Sequence, residues 1–76
     1  MKLTIHLSGI AMDLTEKETL SIEIEDADSL YNAILEAVPG LEDYYFLISI
    51  NGKRTENYSS LKTNDNVLVF SPIAGG

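Results

Sequence analysis

The sequence predicts an α+β fold: a mixed sheet of four to five strands with one main helix across one face. Three observations predict it. Two early segments alternate polar and apolar residues, as strands with one buried face do. A single later stretch carries apolar residues at helical spacing. After it come a tight-turn pair, Asn51-Gly52, and a short apolar run over residues 67–70, which place further strands behind the helix.

In chain order, Leu3, Ile5 and Leu7 alternate with Thr4, His6 and Ser8 and read as the first strand. Residues 9–17 lose the pattern and read as a loop. Residues 18–25 alternate again, with Leu20, Ile22 and Ile24 inward, so the two strands form an antiparallel hairpin. Asp26 and Asp28 suit a helix N-terminus, where carboxylates meet free N–H groups and the positive end of the dipole. Leu30, Ala33, Ile34, Ala37 and Val38 then recur at i, i+3, i+4, i+7 and i+8, one helical stripe that Pro39-Gly40 ends. A helix this short is marginal alone, so packing must hold it. Residues 46–50 read as a strand, and Lys53 and Arg54 start a short return strand. A polar stretch turns at Asn64-Asp65-Asn66 into the final strand, and Pro72 helps end it. Residues 1–70 form the folded domain and residues 71–76 a flexible tail.

A sheet with one helix has one uncovered face. If Val67 and Val69 pack under the helix, Leu68 and Phe70 point outward, and Leu47 joins them from the neighbouring strand. Such a patch leading toward the end of the chain suggests a docking surface. Cover by loops, or simple strand propensity, is the competing reading.

Composition narrows the function classes. A chain of 76 residues buries only about 60% of its unfolded surface, which leaves no room for a deep catalytic cleft beside a core. Hydrophobic residues make up 45% and charged residues 22%, an ordinary globular balance. Cysteine is absent, so neither a disulfide framework nor a thiolate metal site is possible. The net charge of −7 repels nucleic acid and anionic membrane. It serves solubility or steers the chain toward a basic partner, and charge alone does not separate the two. No stretch reaches the length of a membrane span, and residues 1–8 lack the apolar core of a secretion signal, so a cytoplasmic location is expected.

No catalytic set emerges. His6, the only histidine, reads as a surface or interface residue. The acidic groups Glu23, Glu25, Asp26, Asp28 and Glu42-Asp43 lack a calcium-loop pattern, so no metal site is expected. Tyr44-Tyr45 reads as loop packing and not as a base-stacking platform, given the negative charge.

The chain ends in Gly75-Gly76. Glycine has the most backbone freedom, and ordering it costs the most entropy. At a glycine usage of about 7%, two in succession at a given site arise by chance roughly 0.5% of the time. A frayed end without meaning is the bland alternative. The pair predicts that the Gly76 carboxylate is the working group. A diglycine can lie extended in a narrow channel of an enzyme, with no side chain shielding its carbonyl. Extended chain spans about 3.3–3.6 Å per residue, so the arm from Ser71 to Gly76 reaches roughly 20 Å.

The ending Phe70-Ser71-Pro72-Ile73-Ala74-Gly75-Gly76, with the strand order and length, resembles the ubiquitin-like sulfur carriers, and most closely the MoaD-like small subunit of molybdopterin synthase. Pro72, Ile73, Ala74, Gly75 and Gly76 match the tail of that family position by position. Asn51-Gly52 matches a common turn, and Leu61 with Asn64-Asp65-Asn66-Val67 is similar to its stretch before the last strand. The resemblance implies a β-grasp fold, with the final strand central and parallel to the first. It implies a non-catalytic carrier that binds no cofactor itself. A ubiquitin-activating-type enzyme would use ATP and Mg to adenylate Gly76, and a sulfur donor would displace AMP to leave a thiocarboxylate. A sulfur-accepting enzyme, the molybdopterin synthase large subunit or an analogue, would then take the sulfur. Carriers for thiamin, cysteine, tRNA thiolation and tungsten-pterin synthesis are related, as are protein modifiers. A plain interaction module using Leu47, Leu68 and Phe70 is the alternative from a different class.

Overall fold

In the computed structural model, which describes residues 1–72, five strands form one sheet in the order β2-β1-β5-β3-β4. These are β1 (Lys2–Leu7), β2 (Thr19–Glu23), β3 (Leu47–Ile50), β4 (Lys53–Arg54) and β5 (Asn66–Phe70). β1 pairs antiparallel with β2, and β3 pairs antiparallel with both β4 and β5. β5 lies between β1 and β3 and runs parallel to β1, as the resemblance implied.

One sheet face is the core face. Leu3, Ile5, Leu7, Val67, Val69 and Ile48 are all buried on it. The helix α2 (Leu30–Ala37) packs across them, and its Leu30 and Ile34 are inaccessible to solvent. A 3-10 turn at Ala27–Ser29 leads into α2, and the Asp26 carboxylate accepts the Ser29 N–H at 3.1 Å. Asp26 thus caps the 3-10 turn and Asp28 lies within that turn, whereas Ser29, the N-cap of α2, makes no side-chain cap of its own.

The loop expected over residues 9–17 contains a short helix, α1 (Ile10–Thr15). Ala11 is fully buried, and Ile10 and Met12 pack on the core. Six residues span less than two helical turns, too few to print a helical period on the sequence. Packing selects this helix. Thr15 Oγ1 closes it by donating to Ala11 O at 2.9 Å.

Asn51 and Gly52 turn β3 into β4 with φ of 53° and 83°. Both are left-handed, as the tight hairpin turn requires. Side chains then fix this hairpin to the approach to β5. Asn51 Oδ1 accepts the Asn66 N–H at 2.9 Å, and Asn51 Nδ2 donates to Asp65 Oδ1 at 3.1 Å. Asp65 Oδ2 accepts the Lys62 N–H at 2.9 Å. The Lys62 N–H, and then Asn51, hold the Asp65 carboxyl below its ordinary 3.8. A carboxylate whose folded pKa is depressed adds stability above the unfolded value and loses it as pH falls through the folded value. In urea melts taken at successive pH values below 3.8, Asp65→Asn is expected to lose midpoint less steeply than wild type. Equal slopes would show that this network does not bind the charge.

Candidate functional site

The face of the sheet away from α2 carries the residues that the sequence picked for docking. Strand register sets them in rows. His6 lies beside Leu68, Leu68 beside Ser49, and Ser49 beside Arg54. In the next row Leu47 lies opposite Phe70. Leu47, Leu68 and Phe70 therefore share one face, flanked by His6 on β1 and Arg54 on β4. Their access to solvent differs. Leu68 and Phe70 are half-buried, and Leu47 is only 9% exposed. The patch is a narrow apolar strip along β5, smaller than free alternation would make it. Ser49 at its centre is buried, and no buried side-chain polar atom lacks a hydrogen bond among the described residues.

The strip runs out of the sheet at Ser71, where the chain meets the β1–α1 junction. Ser8 donates its N–H to Val69 O at 3.0 Å and its hydroxyl to the same oxygen at 3.3 Å. Gly9 follows with φ 60° and ψ −133°, a conformation that L side chains avoid. A Cβ on Gly9 would stand 3.2 Å from Ser71 Oγ and 3.4 Å from Ser71 Cβ. Glycine here meets two demands, the backbone turn into α1 and the close passage of the departing chain. Neither demand is visible in the sequence, because neither exists until β1 and β5 are neighbours. Pro72 is exposed and is the last described residue. Ile73, Ala74, Gly75 and Gly76 lie outside the described residues.

His6 is exposed on the open face. No group of three or more histidines and carboxylates among the described residues is arranged to hold a metal ion. No helix there is long and apolar enough to cross a membrane.

Tyr44 and Tyr45 do not pack into a loop. They are 49% and 64% exposed, on the extended segment between the 3-10 turn Leu41–Asp43 and β3. Tyr31 of α2 is 45% exposed beside them and stacks on Phe46, ring centres 5.5 Å apart. Their convergence was not legible from spacing, since Tyr31, Tyr44 and Tyr58 come from three separate elements.

No family model and no curated protein matches the chain by sequence. Solved structures do. SAMP1 from Haloferax volcanii superposes with a TM-score of 0.81 at 17% identity, over 100% of both chains. The small archaeal modifier protein 1 of Methanosarcina acetivorans gives 0.74 at 16% identity, over 99% of this chain and 96% of that one. A chain of the complex of subunits 1 and 2 of molybdopterin-converting factor from Helicobacter pylori gives 0.71 at 25% identity, over 100% of both. The fold is a ubiquitin-like β-grasp. Its structural neighbours match the MoaD-like small subunit that the tail and the strand order resemble. Within this β-grasp the open-face strip and Ser71-Pro72, where the chain leaves β5, lie end to end.

Proposed function

We propose that this β-grasp protein is a sulfur carrier that works through the Gly76 carboxylate. The supporting observation is the position of β5. It is the central strand, it bears the apolar strip, and it hands the chain at Ser71 to the sequence that ends in Gly75-Gly76. A carrier needs a rigid body for docking and a thin arm for delivery, and this order joins them.

The chemistry belongs to the enzymes it visits. The Gly76 carboxylate attacks the α-phosphorus of ATP, held with Mg by a ubiquitin-activating-type enzyme, and pyrophosphate leaves. Hydrosulfide, or an equivalent sulfur nucleophile, attacks the acyl carbon and expels AMP. One C–O bond is exchanged for one C–S bond, and with hydrosulfide as donor no electrons change hands. The thiocarboxylate passes sulfur to an acceptor enzyme in the cytoplasm. We assign the acceptor to pterin sulfuration, a molybdopterin synthase large subunit, on the Pro72-Ile73-Ala74-Gly75-Gly76 tail and the similarity to a chain of the converting-factor complex. The chain itself acts as a non-catalytic subunit.

Similarity to the archaeal modifier proteins supports a second reading, conjugation of Gly76 to lysines of other proteins. One pair of measurements separates the two. Incubation with an activating enzyme, ATP and hydrosulfide should raise the intact mass by the difference between sulfur and oxygen. An unchanged mass beside a demonstrably active enzyme overturns the carrier reading. High-mass conjugates in cells that vanish on deletion of Gly75-Gly76 would establish the modifier reading.

A further inference from the structure

The two edges of the sheet are built differently. At one end β4 is two residues long and both are basic, Lys53 and Arg54. Shortness and positive charge are common guards against unwanted strand pairing. At the other end β2 is five residues long, Thr19–Glu23, and holds neither lysine nor proline. No strand lies beyond it among the described residues.

The ladder with β1 decides which backbone groups of β2 are free. The Leu7 N–H donates to Glu18 O at 2.8 Å, and the Ile24 N–H donates to Met1 O at 2.9 Å. Bonded residues alternate along an antiparallel ladder, so Glu18, Leu20, Ile22 and Ile24 turn their N–H and C=O groups to β1. Thr19, Ser21 and Glu23 turn theirs outward. The core is open along the same edge. Leu20 and Ile22 lie on the α2 side and are half-buried, although the residues opposite them on β1, Ile5 and Leu3, are each 1% exposed. Outward donors and acceptors beside two half-covered aliphatic side chains form a template for one more strand.

Charge selects the occupant. Past Ile22 a groove of about 420 Å³ lies between the end of β2 and α2. Glu23, Glu25 and Glu36 line it with Ser29 and Asn32, and no basic residue does. Lys2 sits across the ladder from Glu23 and offsets at most that one charge. Lys17 lies beyond the opposite end of the strand. Glu25 and Glu36 keep their charges, and Asp26 and Asp28 add to them from the turn before α2. A second copy of this chain would bring a further net charge of −7 to the same edge. A segment carrying lysine or arginine is attracted there instead.

We propose that the β2 edge binds an extended cationic segment of another protein, added antiparallel as one more strand, with aliphatic side chains over Leu20 and Ile22 and lysine or arginine against Glu23 and Glu36. Antiparallel pairing is slightly more stable per residue than parallel pairing. In that register the residue opposite Glu23 points to the open face, and the one before it points to the α2 side, toward Glu36. β1 separates this edge from β5, so the edge holds a second protein while the strip on β5 and the arm are engaged. It works independently of the chemistry at Gly76.

The test uses the full chain, isotopically labelled, and two capped hexapeptides. One is two lysines followed by valine, threonine, valine and threonine, and the other has glutamates in place of the lysines. The lysine peptide should shift the amide signals of Thr19, Ser21, Glu23 and Asn32, slow hydrogen exchange at the first three, and leave Leu68 and Phe70 in place. Glu36→Lys should weaken its binding about fivefold and favour the glutamate peptide. Ser21→Pro should abolish binding, since it removes an outward N–H that β1 does not use. Glu36 is exposed on α2, and an unchanged amide pattern away from the edge verifies the fold of each variant. Shifts centred on β5, equal response to both peptides, full binding by folded Ser21→Pro, or no response at about 1 mM peptide overturns the proposal. A concentration-dependent dimer that Ser21→Pro abolishes would also overturn it, in favour of a second copy.

Discussion

Replacing Ile34 by alanine is expected to cost about 2–5 kcal/mol of folding free energy. Ile34 is 1% exposed and sits on the face of α2 that meets the sheet. The truncation removes buried methylenes and leaves a cavity that the short helix cannot close without leaving Leu30 behind. At roughly 0.05–0.15 kcal/mol per residue a chain of this size is stable by about 4–11 kcal/mol, so the loss takes a large share of the total. A urea melt should show a much lower midpoint with an unchanged slope. A loss below about 1 kcal/mol would mean that α2 is not what covers the sheet.

Leu68→Asp is expected to have the opposite signature, with function lost and fold retained. Leu68 is half-buried on the open face, between His6 and Ser49. Aspartate there costs about 1 kcal/mol through poorer strand propensity and about as much again through the lost burial of a half-buried leucine, which leaves the fold standing. In the proposed docking it would place a desolvated charge at the centre of an interface. That penalty, about 2 kcal/mol or more, lowers affinity for the activating or acceptor enzyme roughly thirtyfold or more. Titration of the variant against the activating enzyme, with thermal melting alongside, checks both halves. Full affinity in a folded variant would remove β5 from the docking surface.

The parts of the fold that were legible in the sequence are those where one physical signal dominates. Alternation in β1 and β2 reflects a sheet with one wet face, and it fixed which side chains enter the core. Asn51-Gly52 was legible because two consecutive left-handed residues are required there. The helix α1 was not, because fewer than two turns carry no period and its stability comes from the buried Ala11. For the candidate site, the grouping of Leu47, Leu68 and Phe70 followed from side-chain alternation, but their limited exposure did not. Accessibility depends on neighbours brought from distant parts of the chain. The gathering of Tyr31 and Phe46 with Tyr44 and Tyr45 was invisible for the same reason, and Tyr44-Tyr45 read in isolation suggested packing where the structure has solvent.

The central place of β5 has a consequence for biosynthesis. β2-β1 and β3-β4 form two half-sheets that touch only through this strand. β5 is the last of the five strands to leave the ribosome, so the sheet cannot be completed while translation is still short of residue 66. A chain truncated before β5 would keep two edges exposed and would be prey for proteases and chaperones. Quality control is thus built into the strand order, since a stable domain can form only on a chain already translated through the strand that leads to the arm.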